Sequence, residues 1–254
     1  MSNTTHARRG SFTASAVIAA IALGVGSSLA VAAEQERATM SSELALSARQ
    51  QSIVPIAATT ASGEMSQLHQ ALEQGLNAGL TVSEVKEILI QLYAYAGFPR
   101  SLNALGEMMK VLDARKQRGV RDSAGREPTA VPAGSDVLAA GTANQTKLVG
   151  GPVKGPLFDF APAIDDFLKR HLFGDIFGRD NLDWQSRELA TVSALAAMPG
   201  VESQLLSHVV ISMNVGVTAA QLREVAQVLA EAGQADAAAR TRTALEKHLA
   251  GTPR

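Results

Sequence analysis

Apolar residues recur at three- and four-residue spacing over most of the chain, which is the spacing of one buried face of an α-helix. Leu222, Val225, Ala226 and Leu229 illustrate the pattern. Ala, Leu and Val dominate these stretches, and no segment shows a convincing strand pattern. The sequence therefore predicts an all-α fold.

Two helical regions, residues 41–119 and 158–250, look like copies of each other. The run from Gly79 through Thr81 and Glu84 has the same spacing as the run from Gly216 through Thr218 and Gln221. In each run Gly closes one helix, and Thr with Glu or Gln three residues later predicts a capping box for the next helix. Further upstream, Arg49 matches Arg187 with a shift of one residue. We predict two tandem repeats, each an antiparallel helical hairpin with a flanking helix.

The segment between the repeats, residues 120–157, is rich in Gly and Pro and has little hydrophobic periodicity. Such composition predicts a linker. A connection of that length is unusual inside a compact domain, so it indicates a boundary or a covering loop.

The amino terminus, residues 1–33, has the features of an export signal. Arg8 and Arg9 precede the uncharged apolar stretch 11–29, and Ala30-Val-Ala-Ala33 offers small residues for a signal peptidase. A membrane anchor is the alternative. The arginine pair also leaves open whether export uses the general secretory or the twin-arginine route. We expect a periplasmic protein.

Charge and composition narrow the classes of partner. With 23 basic and 24 acidic residues, the net charge is −1, which gives no reason to expect a nucleic acid or an anionic membrane as partner. No second long apolar run follows the leader, so no membrane association is expected after processing. We find no His/Asp/Glu cluster with metal-ligand spacing and no Gly-rich phosphate loop, so neither a metal nor another cofactor is expected. The chain has no cysteine, which excludes thiol chemistry and disulfides.

His208 is the first candidate for chemistry. It lies on an apolar helix, one turn after Gln204, and imidazole is the side chain that titrates nearest neutral pH. Glu188 lies on the preceding helix of the same hairpin, where a carboxylate can orient the ring. The alternatives are a core or interface histidine, and a solvated carboxylate at a helix start.

Arg100 is a candidate clamp for a substrate carboxylate because guanidinium binds carboxylates in a bidentate fork. A charge at a helix start is the alternative. Tyr93 and Tyr95 are two residues apart on a helix, so at most one lines a given pocket, and core packing is the alternative for both. We interpret His69, His171 and His248 as surface residues without matching partners.

Several of these segments together resemble the carboxymuconolactone decarboxylase family, an all-helical group that includes the alkylhydroperoxidase D-like proteins. The resemblance rests on the segments 92–105, 173–189 and 187–195, followed by His208. Residues 93–100 match the family's Tyr-x-Gly-x-Pro element, His208 its histidine and Glu188 its helix-borne glutamate. Val201 and Gln204 stand where the redox members have two cysteines, so thiol peroxidase activity is excluded.

The resemblance implies one complete site in each chain, because Ala71 replaces His208 in the first repeat and Gln50 or Gln51 replaces Glu188. It implies a cofactor-free lyase acting on a small carboxylated lactone or related acid. His208 and Glu188 would be catalytic, and Arg100, Arg187, Tyr93 and Gln204 would bind the substrate. It also implies a homo-oligomer, a trimer with pseudo-sixfold symmetry. The alternative is an exported, non-catalytic protein of the same fold that binds a small molecule.

Overall fold

The computed structural model describes residues 1–2, 45–132 and 134–251. Within these ranges the regular structure is entirely helical, which confirms the predicted all-α fold. The predicted export signal lies outside the described residues, apart from its first two. In the described part of the chain, none of the helices combines the length and apolar character that crossing a lipid bilayer requires.

Among the described residues the first repeat contains α1 (Ala48–Ser62), α2 (Met65–Asn77), α3 (Val82–Gln91), α4 (Tyr93–Ala96) and α5 (Phe98–Gln117). The segment between the repeats contains α6 (Val137–Val149) and the start of α7 (Pro156–Phe160). The second repeat continues with α8 (Pro162–Phe167), a π-helix (Leu168–Ile176), α9 (Trp184–Ala197), α10 (Glu202–Asn214), α11 (Ala219–Glu231) and α12 (Ala235–Gly251).

The segment predicted as a Gly/Pro-rich linker, residues 120–157, contains a regular helix, α6. Asp136 caps this helix by accepting a hydrogen bond from the Ala139 amide at 3.0 Å, and Gly150 ends it in the left-handed conformation. Gly141 faces the π-helix so closely that a Cβ atom there would lie 1.8 Å from the Lys169 carbonyl oxygen. The Gly-rich composition therefore serves, in part, the close packing of α6 on the π-helix.

The predicted capping boxes of α3 and α11 are confirmed. The Thr81 hydroxyl accepts from the Glu84 amide, and the Glu84 side chain accepts from the Thr81 amide. Thr218 and Gln221 make the same reciprocal pair at the start of α11. Each box satisfies backbone groups that the first helical turn leaves without partners, so both repeats begin this helix in the same way.

The central helices α1 and α9 pack against each other and form the middle of the core. Every residue of α9 from Ser186 to Ala196 is buried, although this run includes Arg187 and Glu188. A helix that is covered on all sides has no solvent face to carry polar residues. Buried charges in such a helix need partners. The partner of Arg187 is Glu87, and the partner of Glu188 is His208.

Hydrogen bonding corrects the alignment of the two central helices. Gln51 donates to Glu224 at 2.7 Å, and Arg187 donates to Glu87 at 2.9 Å. Gln51 and Arg187 each lie four residues beyond the helix N-cap, which is Ser47 in α1 and Asp183 in α9. Gln51, rather than Arg49, is thus the counterpart of Arg187. It follows that Ser52, rather than Gln50 or Gln51, is the counterpart of Glu188.

Candidate functional site

His208 and Glu188 form a buried pair across the seam between α10 and α9. The His208 Nδ1 atom lies 2.8 Å from Glu188 Oε2. The Glu188 side chain is fully buried and the His208 side chain is 10% exposed. A carboxylate only accepts hydrogen bonds, so we assign the Nδ1–H group as the donor and Glu188 as the acceptor of this hydrogen bond. The Nε2 atom of the ring is then free to exchange a proton with another group.

Tyr95, on α4 of the first repeat, packs against His208. Its ring meets the His208 ring edge-on, with centroids 5.4 Å apart and planes at 81°. Burial first, and the negative charge of Glu188 second, raise the pKa of the Tyr95 hydroxyl. The side chain is therefore a neutral phenol throughout the ordinary pH range. Tyr93 is the tyrosine predicted to bind the substrate, but Tyr95 is the one in contact with His208.

Two polar atoms of this group have no hydrogen-bonding partner within the described structure. They are the Tyr95 hydroxyl oxygen and Glu188 Oε1, and both are buried. Buried polar groups are nearly always paired, because leaving one unpaired costs about 1–3 kcal/mol. One unpaired donor and one unpaired acceptor next to His208 leave hydrogen-bonding capacity there that the described residues do not use.

Arg187 is also buried, but its charge is committed to Glu87. Its Nη2 atom donates to Glu87 Oε1 at 2.9 Å and to the Arg179 carbonyl at 2.8 Å, while Nη1 donates to Gln91 at 2.9 Å. Burial lowers the pKa of this guanidinium, and the charge of Glu87 opposes that effect. Arg187 therefore ties α9 to α3, and the contacts give it a structural role beside the predicted substrate-binding one.

Sequence reasoning missed this ion-pair network. Arg179 binds the same Glu87 carboxylate, at 2.8 Å, and Gln91 donates back to the Arg187 carbonyl at 2.9 Å. The available signal was Glu87 and Gln91, two polar residues one turn apart that flank the apolar run 88–90 of α3. A buried charge has to be paired, so the two polar residues of α3 pointed to a buried arginine elsewhere.

Tyr93 lies in a different place from His208. Its ring stacks on Phe98 with centroids 4.3 Å apart and approaches His171 at 5.5 Å. Together with Phe167 and Leu168, these residues line a mainly apolar cleft of about 370 Å³ beside α8 and the π-helix. The prediction that the two tyrosines serve different faces is confirmed. A substrate-binding role for Tyr93 would belong to this second cleft.

The structure does not bring Arg100 to the His–Glu pair in the contacts it describes. Arg100 is exposed near the start of α5. Its guanidinium crosses Gly63, the glycine that ends α1, so closely that a Cβ atom there would overlap it. Gln204 is exposed on α10, one turn before His208, and accepts a hydrogen bond from the Ser203 hydroxyl at 2.8 Å. Of the predicted substrate-binding residues, Gln204 is the nearest to His208 along the chain.

The other three histidines of the described residues have interaction partners, contrary to expectation. His69 Nδ1 lies 2.8 Å from Glu107, and His171 Nδ1 lies 2.8 Å from Asp175. His248 is not without an interaction either. Unlike His208, the His69 and His171 side chains are more than 40% exposed. Among residues 45–132 and 134–251, no group of His, Asp and Glu is arranged to hold a metal ion.

The fold and the site define a tandem-repeat, all-helical protein with one buried His–Glu pair per chain. The family model described as "Carboxymuconolactone decarboxylase family" matches residues 28–108 and again residues 162–247, which together exceed half of the chain. The chain belongs to this family. No curated protein matches the chain.

Proposed function

We propose that the protein is a cofactor-free lyase that decarboxylates a small carboxylated lactone or a related acid, with His208 as the proton donor. The observation that carries the proposal is the 2.8 Å contact between His208 Nδ1 and the fully buried Glu188 carboxylate. This contact fixes the ring and leaves Nε2 for a proton transfer. Family membership supports the class of reaction, and the absence of cysteine excludes the thiol chemistry of the redox members.

In the proposed reaction the bond between the substrate carboxylate and its neighbouring carbon breaks, and CO₂ leaves. The electron pair of that bond passes into a conjugated carbonyl group and gives an enolate. His208 begins the step as an imidazolium, and its Nε2–H protonates carbon as the enolate returns to a carbonyl. The neutral ring then takes a proton from solvent, so each turnover consumes one proton and releases one CO₂. Proton transfer by a placed side chain contributes about 10²–10⁴-fold in rate.

Glu188 and Tyr95 prepare His208 for this step. The Glu188 carboxylate accepts from Nδ1 and stabilises the imidazolium, in the way that a carboxylate orients and supports a catalytic histidine in other acid–base sites. Tyr95 packs against the ring by its edge-on contact. Because burial keeps the phenol neutral, Tyr95 adds no charge that would compete for the proton. Glu188 and Tyr95 are positioning residues in this proposal.

The substrate carboxylate needs a cation, and the two candidates differ in availability. Arg187 is already paired with Glu87, whereas the Arg100 side chain is exposed. We therefore favour Arg100. Within one chain Arg100 lies against Gly63 in the first repeat, away from the described contacts of His208. In our proposal the Arg100 that binds the substrate carboxylate beside His208 therefore comes from another copy of the chain. A homotrimer is our proposal for the assembly, and light scattering coupled to size-exclusion chromatography would test it.

The test of the proposed function is CO₂ release from a panel of small unsaturated lactone acids, assayed in the presence of a chelator. The wild-type protein is expected to release CO₂ from at least one of them, and His208→Ala to lose about 10²–10⁴-fold in kcat. His69→Ala is the matched control, because His69 also contacts a carboxylate but is largely exposed. Circular dichroism establishes that each variant is folded. Normal turnover by His208→Ala would reject the mechanism.

The second candidate function is binding of a small acid without turnover. The observation in its favour is that only 10% of the His208 side chain is exposed, which restricts access to the ring. Calorimetric titration with the same lactone acids separates the two functions. Binding in the absence of CO₂ release would favour the second candidate, and export to the periplasm, which we also propose, agrees with either function.

A further inference from the structure

An open cleft lies between the two repeats beside α2, at the position that corresponds to the His–Glu site beside α10. Its volume is about 360 Å³, and it lies between α1, α2 and the end of α11. The residues that line it include Thr59, Gln70, Ala71, Gln74, Glu231 and Ala232. A cleft of this volume lies within the range of about 300–1,000 Å³ typical of small-molecule sites.

The cleft exists because two aromatic rings are missing from it. Ala71 and His208 are each the seventh residue of their helices, α2 and α10. Ala232 follows the start of α11 at the same distance as Tyr95 follows the start of α3. In the second repeat the rings of Tyr95 and His208 fill this space in edge-on contact. In the first repeat two methyl groups take their place, and the remaining space is open.

The polar groups that line the cleft are neutral except for one carboxylate. Gln67, Gln70 and Gln74 project from one face of α2, because they are spaced three and four residues apart. Glu231 carries the only charge among the residues that line the cleft. Its Oε1 accepts one hydrogen bond, from Gln227 at 2.9 Å. A carboxylate has about four acceptor positions, so Glu231 retains capacity for a ligand.

We propose that this cleft binds a small, flat, singly charged cation with N–H donors, such as an amidine or a protonated nitrogen heterocycle. The flat ring occupies the space that the Tyr95 and His208 rings fill in the second repeat. Its N–H groups donate to Glu231, and the glutamine amides surround its rim. The selectivity is opposite to that of the proposed lyase site, which takes a carboxylate. The two repeats thus bind ligands of opposite charge, and this site does not depend on the proposed reaction.

Benzamidine is a suitable probe because it is flat, cationic and rich in N–H donors, and benzoate is its anionic match in shape. Titration of the full-length protein by calorimetry is expected to give a millimolar dissociation constant for benzamidine, as for a fragment of about nine heavy atoms with few contacts. Benzoate is expected to bind at least about tenfold more weakly, since a charge-assisted hydrogen bond contributes about 1.5–3 kcal/mol. Equal affinity for the two probes would overturn the proposal.

Two variants locate the site. Ala232→Tyr restores a ring to the cleft and is expected to weaken benzamidine binding by about tenfold or more, while Glu231→Gln weakens it by about tenfold. Ala230→Tyr is the matched control, because Ala230 is exposed on the same helix and does not line the cleft. His208→Ala is expected to bind benzamidine as the wild type does, which separates this site from the proposed lyase site.

Chemical-shift mapping of the wild-type protein provides a readout that does not require any variant to fold. Benzamidine is expected to shift the amide signals of Ala71, Gln74 and Ala232. Shifts confined to other parts of the chain, or unchanged affinity in both Ala232→Tyr and Glu231→Gln, would refute the site.

Discussion

The His208 ring is held 2.8 Å from Glu188 by a hydrogen bond through Nδ1, and the first repeat has no equivalent of this pair. The counterpart of His208 is Ala71, which has no polar side chain. The counterpart of Glu188 is Ser52, whose hydroxyl donates to the Ala48 carbonyl of its own helix at 2.8 Å. Among the described residues the buried His208–Glu188 pair thus belongs to the second repeat, whereas the corresponding place beside α2 of the first repeat is an open cleft.

The contact between His208 and Glu188 predicts strongly non-additive effects on catalysis. Glu188→Gln is expected to reduce kcat nearly as much as His208→Ala does, because the amide neither fixes the ring in the same way nor stabilises the imidazolium. The double variant is expected to lose little more than His208→Ala alone, since residues that act as a unit are not additive. The measurement is kcat on whichever lactone acid the wild type decarboxylates. Losses that simply multiply would show that the two residues act separately.

The buried ion pair of Arg187 with Glu87 predicts a large difference between two arginine substitutions. Arg187→Gln installs the residue that the first repeat has at this position, Gln51, but leaves the buried Glu87 short of one partner. We expect a loss of about 3–5 kcal/mol in the free energy of unfolding. Arg49→Gln removes an ion pair with Glu84 in which the arginine is 49% exposed, and we expect a loss of about 1 kcal/mol or less. Urea denaturation measures both, and equal losses would contradict the assignment.

The close approach of α6 to the π-helix predicts that Gly141→Ala destabilises the protein, whereas the same change at the unobstructed Gly106 does not. Gly141→Ala places a Cβ atom 1.8 Å from the Lys169 carbonyl oxygen, a backbone atom that cannot swing aside. We expect it to destabilise the protein by about 1–3 kcal/mol. Gly106→Ala, in α5, meets nothing within 4 Å and should stabilise the helix by about 0.5–1 kcal/mol. Thermal denaturation tests the pair. If both variants were stabilised, α6 would not pack as described.

The ion-pair cluster at the end of α5 predicts a stability change in mild acid. The hydrogen bond from Arg118 first, and that from Arg115 at 2.7 Å as well, lower the pKa of Glu73 below its ordinary value of 4.5. A carboxylate with a lowered folded-state pKa stabilises the fold above pH 4.5, and this contribution is lost as the pH falls through the folded-state value. Glu73→Gln should therefore cost about 1–2 kcal/mol at pH 7 and progressively less below pH 4.5. Unfolding measured from pH 7 to pH 3 tests this, and a constant difference would contradict it.

Local sequence patterns predicted the helical character of both repeats and the starts of two of their helices. The capping boxes at Thr81 and Thr218 lie where the sequence placed them, because a cap depends on residues only three positions apart. The same locality explains the correct tandem organisation, since the spacing of apolar residues along each helix records which face is buried. The family match at residues 28–108 and 162–247 agrees with that organisation. Helix α6 was missed because the segments on either side of it are rich in Gly and Pro, and because its one internal glycine, Gly141, is placed there by close packing on the π-helix.

The chain by itself determined the all-α repeats, the exclusion of thiol chemistry and the choice of His208 with Glu188 as a pair. Only the tertiary structure decided that Tyr95 rather than Tyr93 contacts His208, because residues two apart on a short helix diverge and the sequence does not say which one turns inward. It also decided that Arg187 is held by Glu87, a hundred residues away along the chain. The burial and pairing of a charge depend on which helices pack together, and no local pattern contains that information.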